Sequence, residues 1–170
     1  HDVIKGALAS FTPGRHRIES IARHKGIEWI DDSKATNPHA ASASIASYER
    51  VVWIAGGLAK GASIDPLVEK IAPRIKAAIL IGEDRTLFHD ALKKFAPLVP
   101  VIVIEAGESY EKGSEKNDFM ESIVASAAAF AAEGDTVLLA PACASMDQFI
   151  SYADRGDRFA QAVRKLVERG

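Results

Sequence analysis

Short apolar runs rich in β-branched residues recur along the chain: VVWIA at 51–55, AAILIG at 77–82, VIVIE at 101–105 and TVLLA at 136–140, each followed by a stretch with helical periodicity. Near-continuous apolar runs of this length read as strands buried on both faces, and strand–helix alternation with right-handed crossovers gives a mainly parallel sheet covered by helices. Ahead of them, RIESIARHKGIEWID (17–31) reads as two strands around Lys25-Gly26, a turn glycine suits because it accepts positive φ. The pattern predicts an α/β fold: a Rossmann-like three-layer domain with a mainly parallel sheet and an N-terminal hairpin.

Polar punctuation sets the helix starts. Asn37 can cap a helix that opens on Pro38, and Asp65-Pro66 and Asp84 are placed to do the same. A helix over Glu115–Ala132 would carry Phe119, Ile123, Ala127 and Phe130 on one stripe, after an exposed polar loop GESYEKGSEKN (107–117). At the N-terminus Val3, Ile4, Ala7, Leu8 and Phe11 have helical spacing that TPG interrupts, so residues 1–13 are expected to be the tail of a preceding domain and a linker, with the domain proper at 14–170.

Composition narrows the classes. With 170 residues, 48% of them hydrophobic, the chain can bury one core of its own. A formal net charge of -2 with dispersed lysines and arginines gives no electrostatic case for nucleic acid or an acidic membrane surface. One cysteine, Cys143, excludes an internal disulfide framework, and no apolar run approaches membrane-spanning length. A reducing compartment, the cytoplasm, is the expectation. His16, His24, His39 and His89 lack metal-ligand spacing.

A parallel sheet gathers its strand-to-helix turns along one edge, where ligands bind. The first, WIDDSKATNP, holds Asp31, Asp32, Ser33, Lys34 and Thr36 beyond what a cap needs. The second, AGGLAKGAS (55–63), offers Gly56 and Gly57 for close backbone approach and Lys60 as a cation; the third, APACASMDQF (140–149), offers Ser145. Each group has a plain alternative: a solvated lysine for Lys60, a helix cap for Ser145, a small buried hydrophobe for Cys143, a surface charge for Arg17. Neither G-x-x-x-x-G-K-[ST] nor G-x-G-x-x-G occurs, so the chain has no phosphate loop and no dinucleotide fingerprint.

His16-Arg17, WIDDSKATNP, AGGLAKG and PACASMDQF followed by Tyr152, Arg155, Gly156 and Phe159 together resemble the C-terminal domain of the Mur ligases, in consistent order from about residue 14 to the end. The combination of DSKATN with PACAS-x-DQF is specific, and it resembles the branch of that family that adds D-glutamate. The resemblance implies a larger enzyme whose N-terminal and central P-loop domains precede this one, the latter ending in residues 1–13. ATP would phosphorylate the carboxylate of UDP-N-acetylmuramoyl-L-alanine, and the amine of D-glutamate would attack the acyl phosphate, in peptidoglycan precursor synthesis. It further implies that Thr36, Lys60, Ser145, the backbone at Met146 and Tyr152 bind D-glutamate, that Arg17, Asp32 and Lys34 contact the nucleotide, and that Mg is held mainly on the other domains. No residue here would act as nucleophile or base, and this domain alone would be inactive. The family aromatic at position 152 is typically phenylalanine, so Tyr152 departs from the pattern. The competing readings are a related ligase with another acceptor amino acid and a stand-alone nucleotide- or partner-binding module.

Overall fold

The computed structural model describes residues 14–170; the expected helix tail at 1–13 lies outside the described residues. The hairpin is formed by β1 (Glu19–His24) and β2 (Ile27–Asp31), antiparallel, with Lys25 and Gly26 both at positive φ (53° and 74°). Then follow α1 (Pro38–Ile45), β3 (Val51–Gly56), α2 (Asp65–Ile71) with a 3-10 turn, β4 (Ile75–Ile81), α3 (Arg85–Phe95), β5 (Val101–Val103), α4 (Asp118–Phe130), β6 (Thr136–Leu139) and α5 (Tyr152–Arg169). The strand order is β1-β2-β6-β3-β4-β5, every pair beyond the hairpin being parallel.

Burial on both faces explains the continuous apolar strands. All of β3 is buried, with Val51, Trp53 and Ala55 facing α1, α2 and α3, and Val52 and Ile54 facing α4 and α5. Trp53 sits edge-on to Phe88, ring centroids 5.6 Å apart, and its Nε1–H donates to Ala140 O at 2.8 Å, so the indole adds core packing without an orphan donor. Of the expected α4 stripe, Phe119, Ile123 and Ala127 are buried and Phe130 is half-buried. Among the described residues no helix is long and apolar enough to cross a membrane.

Helix starts divide into those that follow the sequence rules and those that do not. Asn37 Oδ1 accepts from Ala40 N at 2.9 Å, and Pro38 opens α1. Asp65 lies inside α2 and caps nothing, its carboxylate pairing with Lys94. Asp84 precedes α3, but its side chain accepts from Ala59 N at 2.7 Å, bracing the second turn instead of the helix. Ser145 caps no helix either. α5 begins seven residues later, where Ser151 Oγ accepts from Asp154 N.

Candidate functional site

Register brings the turns together. Asp31 and Ile54 both lie beside Leu139, and Gly56 beside Ile81, so the strands end at one level and their turns meet at the carboxyl edge. Main-chain hydrogen bonds then join the turns. Ala142 N donates to Ala35 O at 2.9 Å, linking the third to the first, and Leu58 and Ala144 exchange bonds at 2.9 and 3.0 Å, linking the second to the third. The glycines of the second turn serve this meeting rather than a ligand: a Cβ on Gly57 would lie 2.3 Å from Ala144 O, and one on Gly56 1.8 Å from Ile81 O.

Arg155 completes the joint, and sequence reasoning gave it no role. Its side chain is 1% exposed, and it donates from Nε to Ser33 Oγ (2.8 Å), from Nη2 to Ser33 O (2.7 Å) and from Nη1 to Cys143 O (3.1 Å), while Ser33 Oγ donates to Tyr152 O (2.7 Å). Burial draws the guanidinium pKa down to about 10, so it remains charged near neutrality. One signal was legible: Arg155 falls on the apolar stripe of α5 with Phe159 and Val163, where a charge needs buried partners. Gly156 admits a second contact, since a Cβ there would lie 2.2 Å from His16 Nδ1.

His16 is buried beneath the first turn. Its Nδ1 pairs with Asp31 Oδ2 at 2.6 Å, its backbone N–H donates to Glu19 Oε2, and its carbonyl accepts from Lys34 N. Burial raises the Asp31 carboxyl, partly offset by His16 and by the Ser33 N–H. Glu19, His16 and Asp31 place ligand atoms within 4.8 Å of one another, the only such group among the described residues. They do not suit Mg, which favours carboxylate and water oxygens in an open octahedral shell, because His16 Nδ1 and Asp31 are paired with each other and Glu19 is taken by the His16 N–H.

Arg17, Asp32 and Lys34 line one cleft of about 290 Å³ together with Ile18 and Ser44. Burial raises the Asp32 carboxyl; the Ser44 hydroxyl, near but outside hydrogen-bonding geometry, the Ile18 N–H at 3.2 Å and the charge of Arg17 offset it only in part. Ile18 holds φ at 45°, a strained state for a β-branched residue, and thereby presents that N–H to Asp32.

The residues assigned to the amino acid are less tightly grouped. Ser145 is 1% exposed, and its hydroxyl meets only Met146 Sδ, at 3.7 Å. The exposed Met146 has its carbonyl fixed by Lys112 Nζ at 2.8 Å. Thr36 is half-buried, bonded through its N–H to Lys34 O. Lys60 is exposed at φ 51°, and among the described residues its side chain has no ion pair and no hydrogen bond to Thr36 or Ser145. Tyr152 stands nearer the nucleotide group than its assignment implied, with Lys34 Nζ 5.8 Å from its ring centroid and His16 edge-on to it. Cys143 is fully buried, its thiol pushed up to about 12 by burial, which makes it an inert small hydrophobe.

Comparisons with known proteins give the chain its relatives. The UDP-N-acetylmuramoylalanine--D-glutamate ligase of Mycolicibacterium smegmatis is 50% identical over 96% of this chain, and the enzyme of that name from Streptomyces coelicolor is 51% identical over 96%. The chain spans 38% and 33% of those proteins. Its fold is that of the corresponding part of the UDP-N-acetylmuramate-alanine ligase of Thermotoga maritima (TM-score 0.57, 15% identity, 95% of this chain and 33% of that one). A pseudomurein peptide ligase from Methanothermus fervidus is similar (TM-score 0.51, 19% identity, 97% and 32%). Residues 16–143, from the buried His16 to the Cys143 carbonyl that Arg155 holds, match the model of the Mur ligase glutamate ligase domain, and the chain belongs to that family.

Proposed function

We propose that this chain is the amino-acid-binding and nucleotide-closing part of a longer ATP-dependent ligase that adds D-glutamate to UDP-N-acetylmuramoyl-L-alanine in peptidoglycan precursor synthesis, a cytoplasmic step of cell-wall biogenesis. The observation that carries the reading is the joint of three turns, which puts on the same edge as the Asp32 cleft both Lys60, without an ion pair among the described residues, and a Ser145 hydroxyl whose surroundings accept only weakly.

In the reaction, ATP converts the precursor's carboxylate to an acyl phosphate; the D-glutamate amine adds to that carbon, phosphate leaves and the amine loses a proton. The attacking group belongs to the substrate, so this chain positions rather than reacts. Lys60, Thr36, Ser145 and the backbone at Met146 offer a cation and neutral donors to a dicarboxylate. Asp32 accepts from a ribose hydroxyl, and Arg17 and Lys34 offset phosphate charge. Tyr152 offers its ring to D-glutamate from a position against Lys34 and edge-on to His16.

Steady-state kinetics of the full-length enzyme carrying Lys60→Ala tests this. The expected result is a Michaelis constant for D-glutamate raised by about one to two factors of ten, the worth of one charge-assisted hydrogen bond, with that for ATP unchanged. A rise for ATP alone would place the two ligands on the wrong sides of the site.

A further inference from the structure

A fourth turn meets the same edge. Residues 82–84, between β4 and α3, lie against both the second and the third turns: Asp84 N donates to Gly57 O at 3.0 Å, and Glu83 N donates to Asp147 Oδ2 at 2.9 Å. Asp84 adds a side-chain bond, its Oδ2 accepting from Ala59 N at 2.7 Å. It thus holds the second turn twice, at Gly57 and at Ala59, while Leu58 between them exchanges bonds with Ala144. The carboxylate is not needed by its own helix, for it makes no cap bond to α3, whose first turn is closed by Leu87 N on Asp84 O.

The residue after this hold is Lys60. Ala59 is buried and Lys60 exposed, so the chain emerges from the fold at this point. Ala62 N closes back on Ala59 O at 3.0 Å, with Lys60 and Gly61 both at positive φ (51° and 80°), the pattern of a type I′ turn. Asn, Asp and Gly suit the first of those positions; a lysine there carries backbone strain that the surrounding structure must impose. Among the described residues, the Asp84 carboxylate accepts the last hydrogen bond that ties this turn to another element before Lys60.

We propose that Asp84 is a positioning residue for D-glutamate: by holding the Ala59 N–H it fixes the turn at 59–62, and with it the direction of the Lys60 ammonium. The proposal rests on the reading of Lys60 as the cation that meets a substrate carboxylate. Asp84 touches no reacting atom and acts through Lys60 alone. An anion so near that cation's turn would work against an anionic ligand unless engaged elsewhere, and the Ala59 N–H engages it.

Steady-state kinetics of the full-length enzyme tests this. Asp84→Ala should raise the Michaelis constant for D-glutamate about three- to tenfold, less than Lys60→Ala, and leave kcat and the constant for ATP within about twofold, because a loosened binding cation weakens ground state and transition state alike. A general loss of folded enzyme would lower kcat instead. Asp84→Asn, whose amide oxygen still accepts from Ala59 N, should stay within about twofold of wild type. With Lys60→Ala already present, Asp84→Ala should add less than about twofold. In the ¹⁵N-labelled chain, hydrogen exchange at the Ala59 amide should quicken in Asp84→Ala and not in Asp84→Asn. Asp84→Ser, suited to a helix start but too short to reach Ala59, replaces the alanine variant should that one not fold. Lys60→Ala without effect on D-glutamate would defeat the functional reading, and this proposal with it. Where Lys60→Ala does act, a silent Asp84→Ala, losses that multiply in the double variant, an unchanged Ala59 exchange, or Asp84→Asn as impaired as Asp84→Ala would overturn the positioning role alone.

Discussion

The two edges of the sheet each bury aspartate, and they treat it oppositely. At the amino edge Asp135, its side chain fully buried, takes Lys76 and the Ala132 N–H on one oxygen and Arg50 on the other. Burial there raises the carboxyl, but these partners outweigh it and hold Asp135 below the usual carboxylate range. At the carboxyl edge burial wins, and Asp32 is raised despite Arg17 and the Ile18 N–H. One carboxylate is paired with two cations, its Oδ1 meeting Arg50 by charge alone, and ties the starts of β3, β4 and β6 together. The other is left short of partners at a cleft, the condition that the proposed nucleotide contact requires.

The carboxyl edge does contain one fully used charge, and it should be the edge's largest stability determinant. Arg155→Leu leaves the Ser33 and Cys143 carbonyls and the Ser33 hydroxyl without their donor, a loss of about 3 kcal/mol. For a domain of this size the thermal midpoint should fall by roughly 6–12 °C in calorimetry. A shift no larger than that of a surface substitution would mean that the turns are held by their main-chain bonds alone.

Asp135→Asn comes next, at about 1–2 kcal/mol near neutrality, and pH sharpens it. A carboxyl depressed in the fold stabilises above its unfolded pKa, and that contribution is lost as pH falls through the folded value. The difference between wild type and variant in denaturant unfolding should therefore be full above about pH 5 and shrink on acidification below the ordinary aspartate value of 3.8. A difference that grew on acidification would reverse the assignment of the two edges.

Asp32→Asn should behave in the opposite sense. A carboxyl raised in the fold costs stability as pH rises from the unfolded pKa of 3.8 through the folded value, because the ionised form is the disfavoured one there. The variant escapes that loss, so at neutral pH it should match or exceed wild type by up to about 1 kcal/mol, the gap closing below pH 3.8. In the full-length enzyme the same change should raise the Michaelis constant for ATP. Lower stability at neutral pH would show Asp32 to be a structural group like Asp135.

How much of this was written in the sequence depends on whether a residue's partners are local. Strand runs such as VVWIA and the Asn37-Pro38 start were legible because periodicity and capping act within a few residues. The grouping of Arg17, Asp32 and Lys34 came from the family resemblance alone, since spacing left Arg17 open between a surface charge and a phosphate clamp; the three do line one cleft. Asp84 looked like a cap because its local position is one; a donor 25 residues upstream, Ala59 N, captures it instead. Gly56 and Gly57 looked like a ligand cradle, when the bodies that approach are the Ile81 and Ala144 carbonyls. Arg155 depends on Ser33, 122 residues away, a distance no spacing rule spans. β5 stops at Val103 rather than at residue 105 because Ile104 N makes the last bond to Leu80 O before the chain leaves the edge.

The smallest expected stability effect is at Ser145, and its smallness is what makes it informative. The hydroxyl is buried, yet its contact is a thioether sulfur at 3.7 Å, a weak acceptor, while the backbone carbonyl of the same residue carries the turn by accepting from Gln148 and Phe149 N–H. Removing the hydroxyl leaves that carbonyl in place, so Ser145→Ala should alter stability by no more than about 0.5 kcal/mol in chemical denaturation. A hydroxyl with so little to do inside the fold is free to donate outward. The same variant in the full-length enzyme should raise the Michaelis constant for D-glutamate several-fold, less than Lys60→Ala because a neutral donor contributes less than an ammonium facing a carboxylate. Should Ser145→Ala instead destabilise as strongly as Asp135→Asn and leave D-glutamate kinetics alone, the hydroxyl would belong with the compensated groups of the amino edge, and the amino-acid site would have to be built without it.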